Sequence, residues 1–523
     1  MSQANGASAN GGPPKPDHEV AIIGAGLGGL GMAAALKRKN IQDFVIFERA
    51  GDIGGTWRDN TYPGIGVDIP VFAYQFSYEL KPDWSRFFPK GHEVKAYIDH
   101  FADKYAIRPH IRLNSEVRSR TWDEANHLWR LDVGGEEVTA RFVISAIGPF
   151  VDPEPAGIPG LEDFEGKLIH SARWDHDYDL RGKRVAIVGT GASAVQIIPS
   201  IAKDLARLDV YQRTPIWVSP KPDPRIPGWM KWMFARFPFT ERIARGLASG
   251  GTEFIIVFMT VNFSRWPWIT RLIERRNRAF VKSQVNDPEL RRKLIPDYGM
   301  GCKRPSVSNT YLRTFNRDNV ELITEPIERA TERGIRTTDG TDREIDCLIL
   351  ATGFRLAFDP ENYRRTPVRG RDGFDLATTY QERRLKAYES ISLPGLPNHF
   401  MIFGPYGWTG ASWHVLVQTA STHITRVLEE AYRRGASHVE VSEGATERYH
   451  AKVLERMSGS LWFSNRCDGA NSYYFDHHGD APYLRPSSGR EARRAARRFP
   501  LPDYRYESLR RAPEPAEREK VTA

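Results

Sequence analysis

One pattern constrains this chain more than any other: a strand, a glycine-rich turn, a helix and a second strand, written twice. The first copy is EVAIIGAGLGGLGMAAALKRKN followed by FVIFER. The second, 165 residues further on, is RVAIVGTGASAVQIIPSIA followed by RLDVYQR. An apolar strand that enters such a turn and leaves it as a helix aims backbone N–H groups and the positive helix end at one point. That point suits a pyrophosphate. Two copies predict two dinucleotide-binding folds in one chain. The stretches FVISAIGPF (142–150) and EIDCLILATGF (344–354) bracket the second copy, and we read them as crossings that carry an inserted second domain.

The fold class expected is therefore α/β, with two Rossmann-like domains, the second inserted in the first. Residues 1–17 read as a flexible tail and 18–150 as the first part of domain one. Residues 151–221 and 298–350 read as the two parts of domain two. A helical excursion rich in Trp, Phe, Met and Arg occupies 222–297. Domain one returns over 351–487, and 488–523 reads as a basic tail.

The two turns differ in what they admit. Gly24, Gly26 and Gly29 form G-x-G-x-x-G, giving a tight turn, close backbone approach and close helix packing. Glu48 ends the next strand, where a carboxylate accepts from ribose hydroxyls and repels a 2′-phosphate. This site suits FAD or NAD(H). The second turn is Gly189, Thr190, Gly191, Ala192, Ser193 and Ala194, with Ala in the third glycine's place. No acid follows. Arg213 stands there instead, a guanidinium whose fork matches a phosphate. That favours NADP(H), so FAD and NADPH are expected together.

The three cysteines, Cys302, Cys347 and Cys467, form no CxxC pair, which disfavours a thiol–disulfide redox centre and a zinc ribbon. They read as isolated thiols in a reducing cytoplasm. Without such a centre the reduced flavin needs another acceptor. Molecular oxygen is the natural one, and a flavin monooxygenase follows. The stretch MSQANGASANGGPPKPDH, polar and without a basic region followed by an apolar one, does not read as a secretion signal. The most apolar window, FIIVFMTVNF (254–263), is too short to span a bilayer and reads as a buried helix, with a membrane- or substrate-facing patch as the alternative. The net charge of +9 comes without a recognition motif for nucleic acid, so none is expected as partner. The basic run GREARRAARRF (489–499) reads as a solvated helix face, with an anionic surface as the second reading. His477 and His478 beside Asp476 lack further metal-ligand spacing, so no metal is expected.

Two more stretches bear a family resemblance. GGTWRDNTYPGIGVD (54–68) resembles the [AG]GxWxxxx[FY]P[GM]xxxD fingerprint of Baeyer–Villiger monooxygenases at every fixed position. FEGKLIHSARWD (164–175) resembles the same family's FxGxxxHxxxW[PD] motif through Phe164, Gly166, His170, Trp174 and Asp175. Related N- and S-oxygenating flavin monooxygenases usually carry Tyr or Phe at the Trp174 position, and they remain the alternative. The resemblance implies insertion of one oxygen atom of O2 beside a ketone carbonyl, through a C4a-peroxyflavin, to give an ester or lactone. It implies Arg304 as the cation beside the peroxide and Asp68 as the carboxylate that orients it. It implies Lys303 as a second contact to the 2′-phosphate. Further FAD contacts are implied at Gly55, Thr56, Trp57, Tyr74 and Val117, and NADP contacts at Thr190, Gly191, Ala192, Ser193, Ala194, Val195, Gln196 and Thr214. His170 and Trp174 are implied as conformational residues between the domains. The substrate expected is a small apolar ketone, with O2 as co-substrate. CDGANSYYFDHHGDAPYLRP (467–486) falls where the family's mobile active-site loop is expected.

Overall fold

The computed structural model describes residues 15–410 and 412–509; the first fourteen residues of the expected amino-terminal tail lie outside that range. The first glycine-rich unit is β1 (His18–Ile23), α1 (Leu27–Arg38) and β2 (Phe44–Phe47). The apolar runs of β1 and β2 are buried on both faces, as parallel strands between helices require. β1 lies parallel to β2, Val20 opposite Phe44, and parallel to β6 (Glu136–Ser145), Val20 opposite Phe142. β3 (Ile111–Arg112) extends this edge. β4 (Val117–Asp123) and β5 (Leu128–Val133) join β6 as an antiparallel meander. The chain returns much later to add strands at Val368–Arg369 beside β4 and His399–Met401 beside β6, completing eight strands.

Between those visits lies the second sheet: β7 (Lys167–His170), β8 (Arg184–Val188), β9 (Arg207–Tyr211), β10 (Val320–Ile323) and β11 (Cys347–Leu350). They are all parallel, in the order β10-β9-β8-β11-β7. α2 (Ala192–Ile201) follows the second turn. Successive residues of β8 and β11 face opposite sides. Val185, Ile187, Cys347 and Ile349 join one buried cluster; Ala186, Leu348 and Leu350 join another. The connections between domains pair with each other: Phe150–Pro153 runs antiparallel to Phe354–Leu356. The second domain is thus inserted in the first through a two-stranded ribbon.

The excursion forms α3 (Gly228–Arg236), α4 (Pro238–Ile256) and α5 (Pro267–Gln284). The apolar window 254–263 differs from expectation. Met259 and Thr260 are buried, but Phe254 and Ile255 at the end of α4 are exposed. The helix shows one side to the core and turns these two residues outward. α6 (Trp413–Arg434) packs on α1 so closely that a Cβ on Gly31 would come 2.5 Å from Val417. The stretch expected as a basic tail is folded as far as the description reaches. α7 (Gly489–Arg498) opens on a capping box between Ser488 and Glu491, and Tyr504–Glu507 pairs with His438–Val441. Its small residues Ala492 and Ala496 are buried and its arginines stand on the other side, so helix spacing decides the matter.

Two of the three cysteines are not isolated. Cys302 and Cys467, 165 residues apart in sequence, meet in a disulfide with their Cα atoms 5.1 Å apart. Cys347 is buried in the second sheet. Sequence spacing carries no sign of the pair, because only the fold brings the two loops together.

Candidate active site between the two nucleotide-binding domains

Both glycine-rich turns open on one cleft of about 1810 Å³. That exceeds the roughly 300–1,000 Å³ of an ordinary small-molecule site and leaves room for more than one ligand. At its first end Gly24 adopts φ +102° and its N–H donates to Phe47 O; a Cβ there would lie 2.8 Å from Ala146 O. A Cβ on Gly29 would lie 1.9 Å from Gly24 O, which is why this turn needs glycine at both positions. α1 begins at Gly26 with no side-chain cap and no acid in its first turn, leaving its N–H groups for an anion. Glu48 is buried. It accepts from the N–H of Ala25 at 2.8 Å and of Ala50 at 3.0 Å, and Arg58 donates to it at 3.0 Å. These features fit a dinucleotide whose ribose meets Glu48.

The loop 54–68 runs from this turn to the second domain. Gly54 (φ +118°) and Gly55 (φ +53°) bring it against Gly26. The Trp57 indole donates to the Tyr74 hydroxyl oxygen Oη at 2.9 Å. Tyr62 is buried in the core of the second domain. A Cβ on Gly64 would lie 2.5 Å from Gln196 O, and Gly66 N–H donates to Gln196 Oε1 at 2.8 Å. The loop ends at Asp68, whose carboxylate accepts from Arg304 Nη2 at 2.7 Å and Nε at 3.0 Å. The Arg304 guanidinium also sits over the Trp408 ring, 4.9 Å from its centre. Burial works against the charge on Arg304, but Asp68, Tyr473 and Tyr474 outweigh it, and the net shift is upward. Arg304 is a fixed cation at every working pH. The same burial raises the Tyr74 hydroxyl, so it stays protonated.

At the other end Gly189 (φ +108°) would place a Cβ 2.5 Å from Ala351 O. α2 starts at Gly191, again uncapped and without an acid. Thr190 donates to Thr214 O at 3.0 Å. Thr190, Gly191, Ala192, Ser193, Gln196, Arg213, Thr214 and Lys303 line the cleft. Ala194 and Val195 do not: the turn of the helix buries both in the core of the second domain. Gln196 is already engaged by Gly66. Arg213 is exposed, while burial, with Arg213 second, lowers the Lys303 ammonium below its ordinary value. Two cations close enough to oppose each other fit a phosphate. Of the remaining FAD-side positions, Gly55, Thr56, Trp57, Tyr74 and Val117 line the same cleft.

His170 and Trp174 stand outside the cleft lining. His170 ends β7 opposite Leu350. Its Nδ1 accepts from Ala172 N–H at 3.1 Å, and its ring meets Phe354 of the crossing ribbon edge-on at 6.2 Å. Burial, then Arg173, lowers its pKa. Trp174 packs on the core of the second domain. Phe164 covers Gly166 so tightly that a Cβ there would lie 2.3 Å from the ring.

Part of the segment 467–486 lines the cleft. Tyr473 and Tyr474 line the cleft beside Arg304 and pack with Tyr483; Asn471 donates to Thr214 Oγ1 at 2.9 Å. The two adjacent tyrosines in a polar stretch were the available signal. The disulfide pins this segment to the loop of Lys303 and Arg304, and Glu274 of α5 accepts from both Met300 N–H and Arg466. Asp476 and His477 are used locally: Asp476 accepts from His478 N–H and Asp480 N–H, and the His477 ring meets Gln381 O at 2.9 Å.

Two glycine-rich nucleotide turns opening on one cleft define the class as a two-dinucleotide oxidoreductase. Comparison with known proteins takes this further. Residues 21–244 match the family model described as pyridine nucleotide-disulphide oxidoreductase. A Baeyer–Villiger monooxygenase of Streptomyces coelicolor is 38% identical over 94% of this chain and 93% of its own length. A crystal structure of OTEMO in complex with FAD and NADP superposes with TM-score 0.83 at 26% identity, covering 94% of this chain and 100% of that one. An oxidized steroid monooxygenase bound to NADP superposes with TM-score 0.79 at 25% identity, over 94% and 99%. The chain belongs to the Baeyer–Villiger monooxygenase family, and it is an FAD- and NADPH-dependent enzyme of that kind.

Proposed function

We propose that the substrate is a small apolar ketone and that Arg304 and Asp68 are the residues that direct oxygen into it. The observation that carries this is the Arg304–Asp68 pair at 2.7 Å, set where both nucleotide sites open into one cleft. When bound, NADPH supplies the hydride and FAD the oxygen-activating chemistry. With both groups bound, Arg304 would present a permanent positive charge to the cleft, where it would stabilise negative charge on oxygen, the ketone oxygen included. Asp68 grips two nitrogens of one guanidinium face and so fixes its direction. Tyr473, Tyr474 and Trp408 wall the space with aromatic surface and exclude water, which suits an apolar ketone. Glu48 and the α1 terminus hold the FAD side; Thr190, Ser193, Arg213 and Lys303 hold the NADPH side. His170, at the crossing ribbon, and Trp174, in the second core, transmit relative movement of the domains, whose limits we place near 150 and 350. Among the described residues no helix is long and apolar enough to cross a membrane.

The test is NADPH oxidation with a panel of cyclic, linear and aryl ketones, alongside Arg304→Ala. Ester or lactone should form in step with NADPH. In the variant product formation should fall roughly a hundred- to thousandfold, as for loss of one oxyanion-stabilising donor, while flavin reduction survives. Product formation that persists in the variant refutes the role of Arg304. Sulfoxide or N-oxide formation without any ester moves the chain to heteroatom oxygenation.

A further inference from the structure

Ten of the large hydrophobic residues exposed among the described residues lie between 229 and 272, nine of them in α3, α4 and α5 and Phe237 at the corner between α3 and α4. Trp229 is 63% and Trp232 65% exposed on α3; Leu247 is 73% exposed on α4. The arrangement is ordered. Phe239, Ile243 and Leu247 follow at four-residue spacing, one stripe on α4. At the α3–α4 corner Trp232, Phe237 and Phe239 meet ring to ring, at 6.0 and 6.3 Å. α5 adds Trp268 and Leu272, again four residues apart. A soluble surface scatters such residues singly; a concentration of them marks a docking face.

The outward charges of the excursion itself have one sign. Residues 225–280 contain ten Lys and Arg against three Glu. All three Glu are turned inward: Glu241 accepts from Gln75, Glu274 from Arg466, and Glu253 lies 3.9 Å from Arg493 of α7. Arg236, Arg242, Arg271, Arg275 and Arg276 are exposed. Glu253 also marks where α7 meets α4, and there Arg490, Arg494, Arg497 and Arg498 continue the basic surface. Two features that the enzyme's chemistry leaves unused, the aromatic excursion and the basic carboxy-terminal helix, thus adjoin.

We propose that this face docks the enzyme on an anionic phospholipid surface, without crossing it. Exposed Trp, Phe and Leu on helices rimmed by Arg, with every carboxylate of residues 225–280 turned inward, match the chemistry of an interfacial anchor: rings enter the boundary of the acyl chains while guanidinium groups meet lipid phosphates. Pairing of two copies of this chain through the same face would set arginines against arginines, so charge favours the lipid. The inference is independent of which ketone the enzyme takes.

The experiment uses the full-length, FAD-loaded protein and two kinds of vesicle: phosphatidylcholine alone, and phosphatidylcholine mixed with phosphatidylglycerol. Co-sedimentation should favour the anionic vesicles by at least about tenfold and weaken with salt. Trp232→Ser with Phe239→Ser, and separately Arg271→Glu with Arg275→Glu, should each lower the bound fraction at least about tenfold. Retained FAD absorbance and an unchanged melting temperature show that the variants are folded. No vesicle binding, equal binding to both vesicles, or binding unchanged in either variant overturns the proposal. So does light scattering that shows a two-chain particle which Trp232→Ser with Phe239→Ser splits into single chains.

Discussion

Arg213 and Lys303 give the sharpest quantitative test, because they separate recognition of one phosphate from everything else at the second nucleotide site. Arg213→Ala and Lys303→Ala each remove a cation and leave the glycine-rich turn and α2 untouched. A charge-assisted hydrogen bond contributes about 1.5–3 kcal/mol, and 1.4 kcal/mol is about tenfold in affinity. Arg213 is exposed and partly screened by solvent, so its loss belongs at the low end, about tenfold in KM for NADPH. Lys303 is half-buried, and burial and Arg213 both disfavour its charge until an anion arrives, so its loss belongs at the high end, about a hundredfold. The double variant should treat NADPH and NADH nearly alike. The assay is steady-state oxidation of each nucleotide, with titration of NADP⁺ by flavin absorbance as a binding control. Raised salt should erode the Arg213 effect more than the Lys303 effect. If KM for NADH rises in parallel with that for NADPH, the residues support the fold or the nicotinamide end. The 2′-phosphate reasoning then fails.

Two further outcomes follow from the wider structure. Burial holds His399 at about 3 and lowers His414 and His423 well below their ordinary value, so all three are neutral in the fold. The unfolded chain binds a proton at each below about pH 6.5, so stability is lost as pH falls through that value. At pH 5.5 each costs about 1.4 kcal/mol and the three together about 4; equal denaturant midpoints at pH 7.5 and 5.5 would count against this. The Cys302–Cys467 disulfide closes a 165-residue separation, for which chain entropy allows up to about 5 kcal/mol. Reductant, or Cys302→Ser, should lower the melting temperature by several degrees and loosen the segment bearing Tyr473 and Tyr474; a melt indifferent to reductant refutes it.

Demands of local backbone chemistry can be read from the residues alone. A strand that must turn within a few residues to present N–H groups needs Gly24 and Gly189 at positive φ, and a helix that must lie against that turn needs Gly29. These demands are short-range, so both glycine-rich turns were legible, as was the insertion of one domain in the other, and Glu48 and Arg213 line the cleft that the turns share. Asp68 and Arg304 were legible only through a family resemblance, since 236 positions separate them and no spacing rule joins them. Tertiary structure decided the rest. It turned Ala194 and Val195 into the core, because helix rotation and not motif membership sets which face meets the cleft. It made Gln196 a clasp on Gly66, brought Cys302 to Cys467, and folded the basic tail as α7. It also turned Phe254 and Ile255 outward where apolar content alone indicated burial. Composition records how much apolar surface a segment has. Which part of it finds a partner depends on surfaces that only the folded chain brings near.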